Sequence, residues 1–139
     1  MTPGRRDAVG VVLAAGGAVG VVVGSFLPYA RSGAATRTSY ELVGVAERLE
    51  LVTGPAATLA RGWYLVPLVA AAAWLAAALG KRVILVTSCV ILGTAALALG
   101  VLLNRSPLGA DVGVYLASLA GALSLLGVAC LLWDQRSVQ

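Results

Sequence analysis

Apolar residues occur along this chain in four long runs without a charged residue, and polar connections of unequal length separate them. Uninterrupted apolar stretches of about 20 residues have the length of a membrane-spanning helix. The pattern therefore predicts an all-α membrane protein, with four transmembrane helices in a single domain of residues 1–139. The predicted spans cover residues 8–28, 63–80, 83–103 and 112–133.

The connections between these runs differ in the structure that they predict. The long polar segment 29–62 follows the first run and is expected outside the cytoplasm. Trp63-Tyr64 begin the second run and are typical of an aromatic belt at a membrane interface. Gly80-Lys81-Arg82 is so short a connection that the second and third spans should form an antiparallel hairpin. Asn104 to Asp111 is a turn, and its last residue is in position to cap the fourth span.

The long connection contains a short helix signal of its own. Thr38 and Glu41 have the spacing of a capping box, in which each side chain binds the backbone amide of the other residue. Gly54-Pro55 would end the helix that starts there. The sequence thus predicts a short amphipathic helix over Ser39 to Thr53, which either lies on the membrane face or caps the bundle. The strongly basic face of a lipid-binding helix is missing, which favours capping. The apolar positions at helical spacing are Leu42, Val45, Ala46, Leu49 and Val52.

Two of the apolar runs contain small residues at intervals of four, which places them on one face of a helix. Such faces let helix backbones approach one another closely in lipid. We expect these residues to be helix-packing positions, with the first and fourth helices as neighbours. The alternative is a chance spacing in a chain rich in Gly and Ala, and it is open whether the first face meets this chain or a partner. The six positions are Gly16, Gly20 and Gly24 in the first run and Gly113, Ala117 and Gly121 in the fourth.

The first run follows Arg5-Arg6, and a basic start before an apolar stretch is also the outline of a signal peptide. The run is longer than the apolar region of such a peptide, and Pro28-Tyr29 stand where cleavage would need small residues. This favours a retained first span. The basic residues divide five to five between the two sides, so their count alone does not orient the chain. Because Arg5-Arg6 directly precede the first span, we expect a multi-pass protein of the plasma (inner) membrane with cytoplasmic N- and C-termini.

The composition excludes several kinds of chemistry. The chain has no histidine, and the four runs contain no Asp, Glu, Lys or Arg. Proton relays, coupled efflux and voltage sensing need ionisable groups inside the membrane. Cys89 and Cys130 lie inside apolar runs without a Cys-x-x-Cys pair, which indicates apolar side chains rather than redox or metal ligands. We therefore expect no enzyme, catalytic residue, metal or cofactor, and the net charge of +4 without a basic cluster argues against nucleic acid.

A stretch at the start of the polar segment carries a resemblance to known proteins. Phe26-Leu27-Pro28-Tyr29, then Arg31-Ser32-Gly33 and Arg37-Thr38-Ser39-Tyr40-Glu41-Leu42, resembles a stretch of small uncharacterised actinobacterial four-span integral membrane proteins. The resemblance covers the first half of the chain most closely. It implies four spans with one larger loop after the first, and it implies no activity.

Two functions of different classes agree with these features. The first is a non-catalytic integral membrane subunit, or an assembly or stabilising factor, of a larger membrane protein complex, with other integral membrane proteins and lipid as partners. The alternative is a homo-oligomer that binds or transports lipid or a small molecule. For the first function we expect partner-binding residues at the predicted short helix, because a long ordered loop in a compact protein is usually functional. These residues are Arg37, Tyr40, Glu41 and Arg48. A plainer role for that helix is to plug the outer mouth of its own bundle.

Overall fold

The computed structural model describes residues 3–32, 35–48, 61–105 and 109–136, and most of them are helical. A long helix comes first, a small sheet and a short helix follow, and longer helices complete the described chain. The elements are α1 (Pro3–Phe26), β1 (Pro28–Ser32), β2 (Ala35–Thr38), α2 (Ser39–Arg48), a 3-10 turn (Trp63–Leu65), α3 (Val66–Ala78), α4 (Arg82–Asn104), β3 (Gly109–Ala110) and α5 (Val112–Arg136).

Three of the described helices are long and apolar enough to cross a membrane, over Asp7–Phe26, Arg82–Asn104 and Val112–Trp133. They correspond to the first, third and fourth predicted spans. The second predicted span is shorter, since the 3-10 turn and α3 together cover Trp63–Ala78. This segment rises roughly 25 Å, somewhat less than the ~30 Å hydrocarbon core of a bilayer. That α3, the second predicted span, crosses the membrane stays a prediction.

Alanine is the commonest buried apolar residue of the helix bundle, beside a few larger ones such as Leu85 and Leu92, and many large apolar side chains lie on its outside. Ala14, Ala73 and Ala117 have no exposed surface, whereas Trp74 and Leu119 are more than half exposed. A bundle in water would bury its large apolar residues. This distribution instead suits a bundle surrounded by lipid, in which helices associate through the close fit of small residues.

The helices α1 and α5 lie side by side, and their backbones approach closely at glycine. A Cβ atom on Gly17 would lie 2.5 Å from the Ser124 nitrogen. A Cβ atom on Gly24 would lie 2.8 Å from the Ala117 nitrogen. Because no Cβ atom fits at such distances, these positions require glycine. The predicted neighbourhood of the first and fourth helices is confirmed.

The observed contact face of α1 differs from the predicted glycine face. Gly20 and Gly24 contact α5, but Gly16 is exposed, and no neighbouring atom lies within 4 Å of the place of its Cβ atom. Gly17 lies in the contact instead. Positions four apart drift roughly 40° around a helix at each step, whereas alternating steps of three and four residues stay on one face. The buried positions 10, 14, 17, 21 and 24 follow the second spacing.

The predicted small residues of α5 contact two different helices. Gly113 and Ala117 lie against the end of α1, as expected. Gly121 lies against α4 instead, where its Cβ atom would be 3.1 Å from the Gly93 oxygen. The small residues of α5 therefore allow close contact with both α1 and α4.

The helices α3 and α4 form the predicted antiparallel hairpin. Gly80 has a φ angle of 65°, and Lys81 N donates to Ala76 O at 2.8 Å. This geometry is the Schellman ending of a helix, which requires a left-handed residue and favours glycine. Arg82 then forms an ion pair with Asp7 of α1. We call this the hairpin end of the bundle.

A three-stranded antiparallel sheet, in the order β2-β1-β3, lies at the opposite end, which we call the sheet end. In β1, Ser32 lies opposite Ala35 of β2, and Ala30 lies opposite Ala110 of β3. The sheet corrects the all-α prediction at this end, although the mostly helical class is confirmed. The two residues of β3 are too few for a sequence pattern. They pair with β1 because the contact of α1 with α5 places the two segments together.

The glycine contact can be tested with adjacent residues of the same helix. We expect Gly17→Leu to destabilise the protein by about 1–3 kcal/mol or more, because its side chain would collide with the α5 backbone. Gly16→Leu is the matched control, because its side chain would point into open space. Thermal unfolding in mild detergent measures the difference. Equal melting temperatures for the two variants would contradict the observed contact face.

Candidate functional site

The start of α2 has the predicted capping box. Glu41 Oε2 accepts a hydrogen bond from Thr38 N at 2.8 Å, and Thr38 Oγ1 accepts one from Glu41 N at 3.4 Å. The capping box is therefore confirmed, and it sets the direction in which α2 leaves β2. The predicted continuation to Thr53 and the stop at Gly54-Pro55 lie outside the described residues, because α2 is described as far as Arg48.

A chain of buried hydrogen bonds joins α2 to two other elements. Trp63 Nε1 donates to Ser39 Oγ at 2.9 Å, and Ser39 Oγ donates to Ser25 O at 2.6 Å. Ser25 Oγ in turn donates to Val22 O at 2.7 Å. The carbonyl of Ser25 is in the last turn of α1, where carbonyl groups have no partner within the helix. The hydroxyl of Ser39 thus satisfies the end of α1 and joins it to the 3-10 turn.

Aromatic rings surround these hydrogen bonds. The ring centroid of Tyr40 lies 5.1 Å from that of Phe26 and 5.8 Å from that of Tyr64, and the Tyr40 hydroxyl is 3.0 Å from Ser25 Oγ. Trp63 is only 8% exposed, so it belongs to the protein interior rather than to the predicted interfacial belt. Its neighbour Tyr64 is 47% exposed. α2 therefore covers the C-terminal end of α1 and the 3-10 turn, as expected for a helix that caps the bundle.

The start of α5 is fixed to β1 by polar contacts. Asp111 Oδ1 accepts from Val112 N at 2.8 Å, which confirms the predicted helix cap. Asp111 Oδ2 lies 3.6 Å from Arg31 Nε, and Asp111 N donates to Tyr29 O at 3.2 Å. We use the word platform for the assembly of β1, β2, β3, α2 and the 3-10 turn that these contacts produce.

An open groove of about 440 Å³ lies on the platform, and β2 and α2 line it. Three of the four predicted partner-binding residues, Arg37, Glu41 and Arg48, are exposed and line this groove. Tyr40 does not line it, since its ring is half-buried against α1 and the 3-10 turn. α2 therefore has one face that attaches it to the bundle and another that presents charged groups outward. The remaining lining residues are Thr36, Gly44 and Val45.

Sequence reasoning missed the residues that hold the platform in place. Ser25, Ser39 and Trp63 are far apart in the chain, and no spacing relates them. The sequence contained a weak signal for the β1–β2 hairpin. Thr36 and Thr38 are of a residue type that is frequent in strands, and their strand follows β1 after only two residues, 33–34.

The described residues of the platform offer hydrogen-bonding and ionic groups. Among them, no group of three or more His, Cys, Asp or Glu side chains is arranged to hold a metal ion. Cys89 is buried and Cys130 is exposed, and both are free thiols. Comparisons of the chain with protein-family models, curated proteins and solved structures found no match. The geometry of the platform and its groove is therefore the basis for a functional proposal.

The hydrogen bonds of Ser39 can be tested by removing its hydroxyl. Ser39→Ala leaves Trp63 Nε1 and Ser25 O without this buried partner. We expect a loss of about 1–3 kcal/mol, seen as a lower melting temperature in detergent. Thr94→Ala is the control, because the Thr94 hydroxyl is exposed and binds a carbonyl of its own helix. A loss in the control as large as in Ser39→Ala would contradict a special role for the buried network.

Burial of Tyr29 predicts a loss of stability in alkali. Burial, with a smaller contribution from the charge of Tyr40, raises the pKa of Tyr29 from 10.0 to about 12. The fold thus favours the neutral phenol, and its contribution is complete below pH 10 and is lost as the pH rises towards 12. Tyr29→Phe should remove this part of the pH dependence of the melting temperature. Tyr115→Phe, at a ring that is 62% exposed, should leave it in place; the same alkaline loss in Tyr29→Phe would refute the assignment.

Proposed function

We propose that this protein is a non-catalytic integral membrane subunit, or an assembly or stabilising factor, of a larger membrane protein complex. The four bundle helices α1, α3, α4 and α5 cross the plasma membrane, and the platform faces outward from the cytoplasm. The observation that carries the proposal is the outward groove on a platform whose other side is attached to the bundle. Lipid surrounds the large apolar side chains of the helices, and another integral membrane protein binds at the platform.

The hydrogen-bonding pattern of the platform supports recognition as its role. Ser39 is 2% exposed and has polar partners on both sides, so the base of α2 is pre-organised before any partner arrives. A pre-organised surface loses less conformational freedom on binding and therefore binds more tightly. Arg37 and Arg48 remain exposed above this base. Guanidinium groups in such positions are well suited to pair with carboxylates of a protein partner.

The sequence supports a role without catalysis or ion coupling. The four apolar runs contain no ionisable residue, and the chain contains no histidine. Glycine and alanine lie at the contact of α1 with α5, where a Cβ atom on Gly24 would lie 2.8 Å from the Ala117 nitrogen. Such contacts suit a bundle whose role is to be a stable neighbour for another membrane protein.

Purification of the tagged protein from its native membranes in mild detergent tests the proposal. We expect a second integral membrane protein in stoichiometric amount, and reciprocal capture when that second protein carries the tag. A self-oligomer that retains lipid and no second protein would reject this proposal in favour of lipid or small-molecule binding.

The same preparation tests the four crossings by labelling single cysteines with an impermeant maleimide in a Cys130→Ala background. Thr36→Cys lies at the sheet end and Lys81→Cys at the hairpin end, and both positions are exposed. Labelling from opposite sides of the membrane is the expected result. Labelling of both from one side would reject the crossing of α3.

A further inference from the structure

The lining of the groove indicates where it lies on the sheet. Thr36 and Arg37 are consecutive residues of β2, and both line the groove. Consecutive side chains of a strand point to opposite faces, so a groove bordered by both runs along an edge of the strand. One edge of β2 is paired with β1. In the part of the chain that the structure describes, the sheet order leaves the other edge without a strand partner.

A free strand edge is a binding surface in its own right. Its unpaired N–H and C=O groups can accept an extended segment of another chain as an additional strand. β2 has 4 residues, and the amide of its last residue, Thr38, already donates to Glu41, so an added segment would pair with the part of this edge that precedes Thr38. The groove volume of about 440 Å³ offers space for such a segment beside α2.

The charges around this edge indicate which segment fits. Arg37 and Arg48 are exposed and line the same groove as Glu41. One oxygen of Glu41 already accepts from the Thr38 amide, so this carboxylate is partly engaged within the chain. Among the residues that the structure describes, the groove therefore carries two guanidinium groups and one engaged carboxylate. Carboxylate side chains are the natural complement of such a surface.

A lipid headgroup fits these features less well than a peptide. Helices that bind anionic lipid have a strongly basic polar face, whereas the groove side of α2 also carries Glu41. A headgroup would also leave the backbone edge of β2 without a strand partner. An extended segment uses both the edge and the arginines.

We propose that the groove binds an extended acidic segment of the partner membrane protein, which adds to the free edge of β2 as a further strand. The carboxylates of the segment pair with Arg37 and Arg48, and its backbone pairs with β2. This inference rests on the proposed function, because the segment belongs to the partner that this function requires.

The probe for the test is a fluorescent peptide of alternating glutamate and valine, titrated into the purified full chain in neutral detergent. We expect saturable binding that Arg48→Glu and the milder Arg48→Gln weaken about tenfold or more. Arg105→Glu is the matched control, because Arg105 is exposed beyond α4 at the same end of the bundle and does not line the groove. It should change the affinity less than about twofold.

Two further probes separate strand addition from simple charge attraction. The same peptide with alternate backbone amides methylated keeps its charges but cannot form a ladder, so it should bind about tenfold more weakly. Equal binding of the methylated peptide, or equal loss in Arg48→Glu and Arg105→Glu, would overturn the inference. Loss of peptide binding on addition of phosphatidylglycerol micelles, with no effect of inorganic phosphate, would assign the groove to lipid instead.

The result of the peptide titration can be separated from the result of the co-purification that tests the proposed function, because the titration needs no natural partner. A stoichiometric partner that Arg48→Glu still captures would leave the proposed function in place and reject this binding mode. Melting temperatures of the variants within the range of the control establish that altered binding does not come from unfolding.

Discussion

At the contact of α1 with α5, glycine lets two helix backbones approach to distances that no Cβ atom would allow. This approach brings the residues that follow α1 beside those that precede α5, and Asp111 N then donates to Tyr29 O at 3.2 Å. β1 and β3 pair as a consequence, and β2 pairs with the other side of β1. The capping box at Thr38 then directs α2 back over the bundle. The platform thus depends on a helix contact inside the apolar part of the chain.

Above that contact, the stability of the platform depends on polar groups that are buried and satisfied. Ser39 and Ser25 are almost completely buried, and each has hydrogen-bond partners. A buried hydroxyl or indole N–H without a partner would cost about 1–3 kcal/mol. The position of α2 is consequently specific, because a shift or rotation of this helix would leave several such groups unpaired. Close packing of small apolar side chains alone would define the position of α2 less sharply than these directional hydrogen bonds do.

The two roles considered for α2 are compatible because they use different faces of the helix. Ser39 and Tyr40 face α1 and the 3-10 turn, which is the contact of a plug. Glu41 and Arg48 line the outward groove. Fixing one face to the bundle reduces the freedom that the other face would lose when a partner binds. The contact of α2 with the bundle in this way supports the proposed recognition surface.

The sequence by itself determined the features that depend on local chemistry and on periodicity. Three apolar helices of membrane-spanning length, the capping box of α2 and the hairpin at Gly80 were predictable from neighbouring residues. The neighbourhood of α1 and α5 was predictable from their small residues. The capping box and the hairpin turn depend on residues close together in the chain, whereas the small residues indicated only which helices are neighbours and not the register of their contact.

Only the tertiary structure decided the features that join distant parts of the chain. The contact register of α1 passes through Gly17 rather than Gly16, because the face that is buried depends on how the partner helix runs beside it. The two-residue strand β3 exists because β1 lies next to it. The hydrogen bonds from Trp63 to Ser39 and from Ser39 to Ser25 likewise depend on which element ends meet in space. Local sequence patterns do not predict contacts between such distant segments, because these contacts arise from helix packing across the whole bundle.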